Sequence, residues 1–442
     1  MDPMRAAAGE RERFAYSNPE HEAALRGATT PEALAEALVR LNDLIPSFMH
    51  PPIYARRLHS FGLDETVPLI ASRLGLKDTP GVKSNDNVCI VVTRLYSTGG
   101  HSQVVADIAR AMGAENTTLI YSDIFKHFRY PSPLPDLSRF SAPNRALILL
   151  QAPTLSERIT ELYTHLRAIR PTRIFLVSNH MDMVSVAGCW PFRSVVDFIH
   201  HADYMPSIGA TLPFSAHVDL TYTCHLACRE AGLDPIYSAM KAARPAVAPP
   251  PTPEKRGLLF ATCGHSHKYV KPGRYRWADF ALAALRTPES RMLHIGPADD
   301  AFRQSITSVL AAEGIDPARY EFRGVAPLQA ELISRGVDLY VSSYPEPGGR
   351  ANLEAMIAGL PCLAPTEIAA GPLIVDRFPL PQFHLLSRPD ELSALIGRSA
   401  ELKDQAAGPE ARAALDAEMS RFDSYLAGEA LSPTADERLP EA

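Results

Sequence analysis

Two hydrophobic rhythms alternate along the chain. Short, nearly continuous apolar runs rich in valine and isoleucine are each followed by a stretch whose apolar residues return every three or four positions. The first rhythm is how a strand buried on both faces of a parallel sheet reads. The second is a helix with one apolar face. NVCIVVT over 87–93 is predicted as a strand, and VVADIARAMGA as the helix that follows it. TTLIYS, ALILLQA and TRIFLVSNH continue as strands, with a helix through SERITELYTHLRAI. SVVDFIHH and HVDLTYT are further candidate strands. Such alternation predicts a parallel sheet covered by helices on both faces.

Five prolines fall in the nine positions of PAVAPPPTP, 245–253, and break the pattern. A proline-rich segment is stiff and continues neither element, so it marks a boundary. A second alternation begins beyond it. GLLFATC, RMLHIG, YEFRG, VDLYVSS and PCLA are predicted strands. RYRWADFALAALR, AFRQSITSVLAAEG, LQAELISRG and NLEAMIAGL are predicted helices, with DELSALIGRSAELKDQ as the last. Ahead of the first strand, PEALAEALVRLNDLI, PIYARRLHSFG and TVPLIASRLGL have helical periodicity, and the first twenty or so residues read as frayed. The expected fold class is α/β: two Rossmann-like doubly wound domains facing a cleft, with an N-terminal helical cap. The expected boundaries are a helical extension over 1–84, an acceptor-side domain over 85–244, a linker over 245–256, a donor-side domain over 257–400, and a C-terminal helix and loose tail over 401–442.

Composition narrows the function classes. Of 442 residues, 46% are hydrophobic and 21% charged, the balance of an ordinary globular chain. The sum of 44 basic and 50 acidic residues is −6, which argues against a nucleic-acid partner, since that needs a basic face. Six scattered cysteines do not form a disulfide framework, and Cys224 and Cys228 read as two buried residues on one helical face. MDPMRAAAGERERF contains no apolar segment of a signal peptide, and no run has the length of a membrane span. A cytoplasmic protein with at most peripheral membrane contact is expected.

The stretch VDLYVSSYPEPGGRANLEAMIAGLPCLAP holds the most specific chemistry. A buried strand ends in a loop with Glu346, Gly348 and Gly349, and a helix opens near Arg350. Glycines before a helix start let bare backbone N–H groups approach an anion closely. Glu346 is expected at the rim, and Glu354 on the helix face shared with Arg350. Carboxylates on either side of a diphosphate suit hydroxyl-rich groups. An ordinary βα turn would read the same way.

Glu346 and Glu354, with seven residues between them and EAMIAGLPCLAP after, resemble the E-x7-E donor-site signature of GT-B glycosyltransferases. The resemblance covers most of 87–400 as architecture and is sharp over 337–365. It implies a nucleotide-sugar donor, a UDP-sugar as first choice, and transfer to a glycan, lipid-linked or protein acceptor; no D-x-D metal motif stands at a strand end, so metal-independent transfer is expected. It places Glu346 on the donor sugar, Gly348, Gly349, Arg350, Ala351 and Asn352 around the diphosphate, and Glu354 on the ribose. PGGRAN departs from the commoner pattern and is similar to the corresponding loop of O-GlcNAc transferase-like bacterial protein glycosyltransferases. The E-x7-E signature thus favours retention at the sugar, while this loop keeps inversion open.

Three further stretches follow predicted strand ends. ATCGHSHKYVKPGRYRW brings Lys268, Lys271 and Arg274 to the position where the family neutralises the leaving diphosphate, Lys268 being the first choice. TRLYSTGGHSQVV resembles the family's glycine-rich turn, with Gly99, Gly100 and His101 near donor phosphate and acceptor. VVDFIHHADYM carries His200, His201 and Asp203, an arrangement suited to a general base at the acceptor. No further ligands stand at zinc-site spacing, so no metal is expected there. In SNHMD, His180 and Asp182 are weaker acceptor-side candidates, and Arg323 and Gly324 end a strand near the base pocket. The alternatives are a non-hydrolysing nucleotide-sugar epimerase and a nucleotide-sugar-binding scaffold without turnover.

Overall fold

The structure is a computed structural model that describes residues 19–45, 58–80, 87–96, 100–113, 115–124, 146–201, 206–244, 257–271, 273–366 and 378–431. The proline-rich linker, the PIYARR segment, residues 1–18 and the end of the tail lie outside the described residues.

The chain divides into two compact units that change over near Ser238. Among the described residues the first opens with the helices α1 (Pro19–Gly27), α2 (Pro31–Leu44), α3 (Phe61–Asp64) and α4 (Thr66–Arg73). There follow β1 (Val88–Val92), α5 (Gly100–Met112), β2 (Thr117–Tyr121), β3 (Ala146–Leu149), α6 (Leu155–Ile169), β4 (Arg173–Val177) and α7 (Met183–Cys189). The unit ends with β5 (Val196–His200), β6 (Ala216–Asp219), α8 (Tyr222–Glu230) and β7 (Ile236–Tyr237). The strands form a parallel sheet in the order β3-β2-β1-β4-β5-β6-β7. The chain runs outward from β1 to β3 and then resumes on the other side of β1.

Local signals start the helices as the sequence leads one to expect. At α2 the Thr30 hydroxyl accepts the Ala33 N–H at 3.2 Å, and Pro31 fills the first helical position. Thr154 and Glu157 form a reciprocal capping box on α6. Leu34, Leu38, Leu41 and Ile45 recur on one face and are buried in the same apolar cluster as Val91, Ile120 and Leu162. The N-terminal helices thus share the core of the first sheet. Each such leucine stabilises the unit by roughly 1.5–3 kcal/mol.

The second unit contains β8 (Leu259–Cys263), α9 (Trp277–Leu285), β9 (Arg291–Ile295), α10 (Asp300–Ala312), β10 (Tyr320–Gly324), α11 (Leu328–Ser334) and β11 (Leu339–Val341). It continues with α12 (Gly349–Ile357), β12 (Cys362–Pro365), β13 (Phe383–Leu386), α13 (Pro389–Ile396), α14 (Ser399–Ala407) and α15 (Pro409–Ala427). Its parallel sheet runs β10-β9-β8-β11-β12-β13. A separate core forms around Trp277, Phe280, Phe260 and Tyr344.

The differences from the expected elements have local causes. HVDLTYT is a strand only to Asp219, and Tyr222 already opens α8. DELSALIGRSAELKDQ is two helices, parted at Gly397 and Arg398. A glycine inside a helix costs about 1 kcal/mol relative to alanine, enough to favour a break. β7 has two residues and β13 is half exposed, so neither is a continuous apolar run. No described helix is long and apolar enough to cross a membrane.

Candidate functional site

β8 and β11 are neighbours, yet the chain leaves β8 toward β9 on one side and β11 toward β12 on the other. Such a reversal opens a crevice outside the carboxyl ends of the two strands. The loop after β8 carries His267, Lys268 and Lys271, and the loop after β11 carries Glu346, Pro347 and Gly348. A main-chain bond from Glu346 N–H to Lys268 O, at 3.3 Å, staples the loops together. Lys268 Nζ also donates to Pro347 O at 2.6 Å.

Glu346 is 5% exposed, so it lies inside the site and not at its rim. Its carboxylate is paired with Lys271 and stands 3.8 Å from Lys268 Nζ and 3.6 Å from His267 Nε2. Burial pushes its pKa up, but His267, Lys268 and Lys271 outweigh burial and hold it at about 2. Glu346 is therefore ionised at neutral pH, and the lysine charge is partly spent on it. The Arg274 guanidinium lies 5.4 Å over the Tyr275 ring.

α12 starts where the loop ends. Gly348 is its N-cap and no side chain caps it, so the helix opens on bare backbone groups. A Cβ added at Gly348 would meet Ala351 Cβ and Ser343 Oγ only at 3.6 Å, so the protein itself leaves room for a side chain there. Gly349 is buried and Ala351 half-buried. Arg350 Nε holds Glu354 Oε1 at 3.1 Å, and its Nη1 donates to Lys241 O. Asn352 is fully buried, and neither of its amide atoms has a hydrogen-bond partner. The stretch thus brings Lys268, Lys271, Glu346 and the α12 start into one place. Glu354 forms a neighbouring ion pair with Arg350. At the end of β10, Arg323 pairs with Glu331 at 3.1 Å.

The first unit has the same reversal, at β1 and β4. Here the crevice is tied by hydrogen bonds around Asp182, which is fully buried. Asp182 accepts from the hydroxyls of Thr93, Ser122 and Ser185 and from the Ser185 N–H, all within 2.9 Å. It caps α7 and joins the ends of β1 and β2, so it is a structural hub. Gly100 opens α5, and His101 Nδ1 lies 3.1 Å from His201 Nε2. His201 Nε2 also lies 2.9 Å from Ser178 O. A carbonyl only accepts, so this nitrogen carries the hydrogen. Burial, then the proximity of His201, keeps His101 well below the usual histidine pKa. Gly99 and Asp203 lie outside the described residues.

His200 parts company with His201. It is 1% exposed, and its Nδ1 stands 2.9 Å from Asp219 Oδ1. The aspartate that holds it is therefore Asp219, where the sequence suggested Asp203. His217 Nε2 is 3.0 Å from the same oxygen, and Cys228 Sγ is 3.7 Å from it. Cys224 and Cys228 are both buried on α8, as expected. Spacing along the chain did not reveal this group, because its members come from β5, β6 and α8. The parity of His217 and Asp219 within one predicted strand was the available clue.

No family model matches the chain, and no curated protein matches it either. Solved structures do. The chain is similar to the lipopolysaccharide outer core galactosyltransferase WaaB in its apo form, at 14% identity and a TM-score of 0.52, over 76% of this chain and 95% of that one. It is similar to HepE from Anabaena in complex with UDP and glucose, at 13% identity and a TM-score of 0.51, over 77% of this chain and all of that one. A mutant of the O-GlcNAc transferase from Thermobaculum terrenum matches 90% of this chain and 84% of its own, at 13% identity and a TM-score of 0.50. With its parallel sheets of seven and six strands, the chain has the two-domain α/β fold of the GT-B glycosyltransferases.

Proposed function

We propose that the protein is a glycosyltransferase that takes a sugar from a nucleotide-sugar donor held by the second unit. The observation that carries this is the cluster of Lys268, Lys271 and Glu346, stapled to the uncapped start of α12 at a strand-order reversal. Two ammonium groups and a helix N-terminus provide the positive field that a departing nucleoside diphosphate requires. Metal-independent transfer is proposed because these groups can meet the phosphate charge themselves. As the diphosphate enters, Lys271 exchanges Glu346 for phosphate oxygens. The released carboxylate, an acceptor only, turns to donor-sugar hydroxyls. Glu354 is assigned to the ribose, as the family resemblance implies. HepE has been solved with UDP and with UDP-glucose, which makes a UDP-sugar the first donor to try.

The acceptor, a glycan, a lipid-linked sugar or a protein, is assigned to the first unit. An inverting course would use His201 or His101 as base for the acceptor hydroxyl. A retaining course would pass that proton to the departing phosphate. The test is a thermal-shift and donor-hydrolysis screen of UDP-, GDP-, dTDP-, ADP- and CMP-sugars, with Glu346→Gln alongside. Stabilisation by one donor, and slow release of its nucleotide that Glu346→Gln abolishes, is the expected result. No shift with any donor sinks the reading.

A further inference from the structure

Four side chains of the first unit form a second piece of chemistry. His200 Nδ1, His217 Nε2, Asp219 Oδ1 and Cys228 Sγ all lie within 4.8 Å of one another. The separations are 2.9 Å from His200 to Asp219, 3.0 Å from His217 to Asp219, 3.5 Å from Cys228 to each histidine, and 3.7 Å from Cys228 to Asp219. We propose that these four residues bind one structural divalent metal ion, zinc by preference.

Geometry is the first argument. Zinc holds nitrogen and oxygen at about 2.0–2.2 Å and sulfur at about 2.3 Å, which sets the edges of its tetrahedron at roughly 3.3–3.7 Å. The observed separations reach this range at the sulfur and fall a few tenths short at the two imidazole–carboxylate edges. The sixth edge, between the two histidine nitrogens, lies within 4.8 Å, so closing the tetrahedron takes an outward movement of Asp219 and an approach of the two imidazoles. β5 and β6 prepare the positions: His200 pairs with Asp219 and Phe198 with His217 in the parallel register. His217 and Asp219, two residues apart, share one face of the sheet. α8 brings Cys228 to the group, and Cys228 is fully buried.

Charge is the second argument. Three donors, two imidazoles and a thiol, crowd a single oxygen of Asp219. The other oxygen, Oδ2, is buried with no hydrogen-bond partner, and His225 Nδ1 is 4.0 Å away. As a hydrogen-bonded core the group leaves the desolvation of that oxygen uncompensated. A divalent ion with one carboxylate, one thiolate and two neutral imidazoles is electrically neutral, which suits a dry interior. On binding, the Cys228 S–H bond breaks, the S–metal bond forms and the proton leaves to solvent. All four coordination positions come from protein, the pattern of a structural and not a catalytic ion. Thiolate with imidazole selects zinc over magnesium or calcium. The His217 side chain, 10% exposed, marks the way in.

The test is metal analysis of the full chain, purified without a metal-affinity step. About one zinc per chain is expected, against under about 0.1 in Cys228→Ser. Since a variant could misfold, the second measurement uses the wild type: zinc is removed by chelation and Co2+ added. Tetrahedral cobalt bands with a sulfur-to-cobalt charge-transfer band are expected, and Cys228→Ser should lose the latter. Folded wild type that carries no metal and gives no such spectrum overturns the proposal and leaves a hydrogen-bonded core. Zinc retained at full occupancy in Cys228→Ser and His217→Ala overturns it as well. Neither readout involves donor turnover, so this result and the transferase test stand or fall separately.

Discussion

The two units have the same strand-order reversal and use it differently. At β1 and β4 the crevice is closed by neutral donors, three hydroxyls and one backbone N–H, on one buried carboxylate, Asp182. At β8 and β11 it holds two lysines and a buried glutamate, bridged by a single main-chain hydrogen bond. The first arrangement spends its polar groups on holding strands together. The second keeps charge that a ligand can redirect. The same topology thus yields a rigid end and an exchangeable one, according to which residues follow the strands.

The comparison can be broken by substitution, and the largest effect belongs to the rigid end. Asp182→Ala strands three buried hydroxyls and should destabilise the fold by roughly 3–5 kcal/mol, read by urea unfolding. If its stability stays within about 0.5 kcal/mol of wild type, the range of an ordinary surface change, Asp182 is no hub. Glu346→Gln should cost less, roughly 2 kcal/mol at neutral pH, because it removes the carboxylate that His267, Lys268 and Lys271 hold ionised. It should lower kcat/KM by about 10²–10³, the range for one electrostatic group aimed at developing charge. Next comes Lys268→Ala, expected to weaken donor binding about 10- to 100-fold, as loss of a charge-assisted bond does. Full donor affinity in titration calorimetry would remove Lys268 from the diphosphate site.

Acid titration sharpens the contrast, because two carboxylates work in opposite directions. Folding lowers the Glu346 pKa from 4.5 to about 2, so the unfolded chain takes the proton more readily. Its stabilisation is present above pH 4.5 and fades as pH falls toward 2. Burial raises Asp64 in the first unit from 3.8 to about 6, against the lowering effect of bonds from Gly209 and Thr211. Its contribution is greatest below pH 3.8 and declines as pH rises through 6. Glu346→Gln should flatten the acid limb of a stability-against-pH curve by roughly 2 kcal/mol. Asp64→Asn should remove the decline above it. The smallest effect on the fold is expected from Gly348→Ala. Space and a φ of −131° both admit the methyl group, so stability should move by less than about 0.5 kcal/mol. Donor affinity should nonetheless fall if the diphosphate approaches this backbone.

Both sheets were legible in the sequence, for a plain reason. Strands buried on both faces cannot alternate, so NVCIVVT and TRIFLVS announce themselves without tertiary context. β13 and β7 were not legible, since short or half-exposed edge strands lack that signature. The loop with Glu346 and the two glycines could be picked out because its residues are contiguous. Its burial could not, because the lysines that make a buried glutamate tolerable come from a loop more than seventy residues earlier. His200 and His201 illustrate the limit most clearly. Adjacent in sequence, they join different groups, one with Asp219 and Cys228, the other with His101 and Ser178.

The sequence by itself determined which segments are strands, which are helices, and where the order of apolar runs restarts, because burial and helical periodicity are properties of neighbouring residues. Tertiary structure alone decided which polar groups meet. The register of β5 on β6, the return of α8 and the closeness of the β8 and β11 loops bring together side chains up to seventy-eight positions apart, Lys268 and Glu346 among them. A charge or a metal ligand takes its meaning from the partner within a few ångströms, and that partner is fixed by packing.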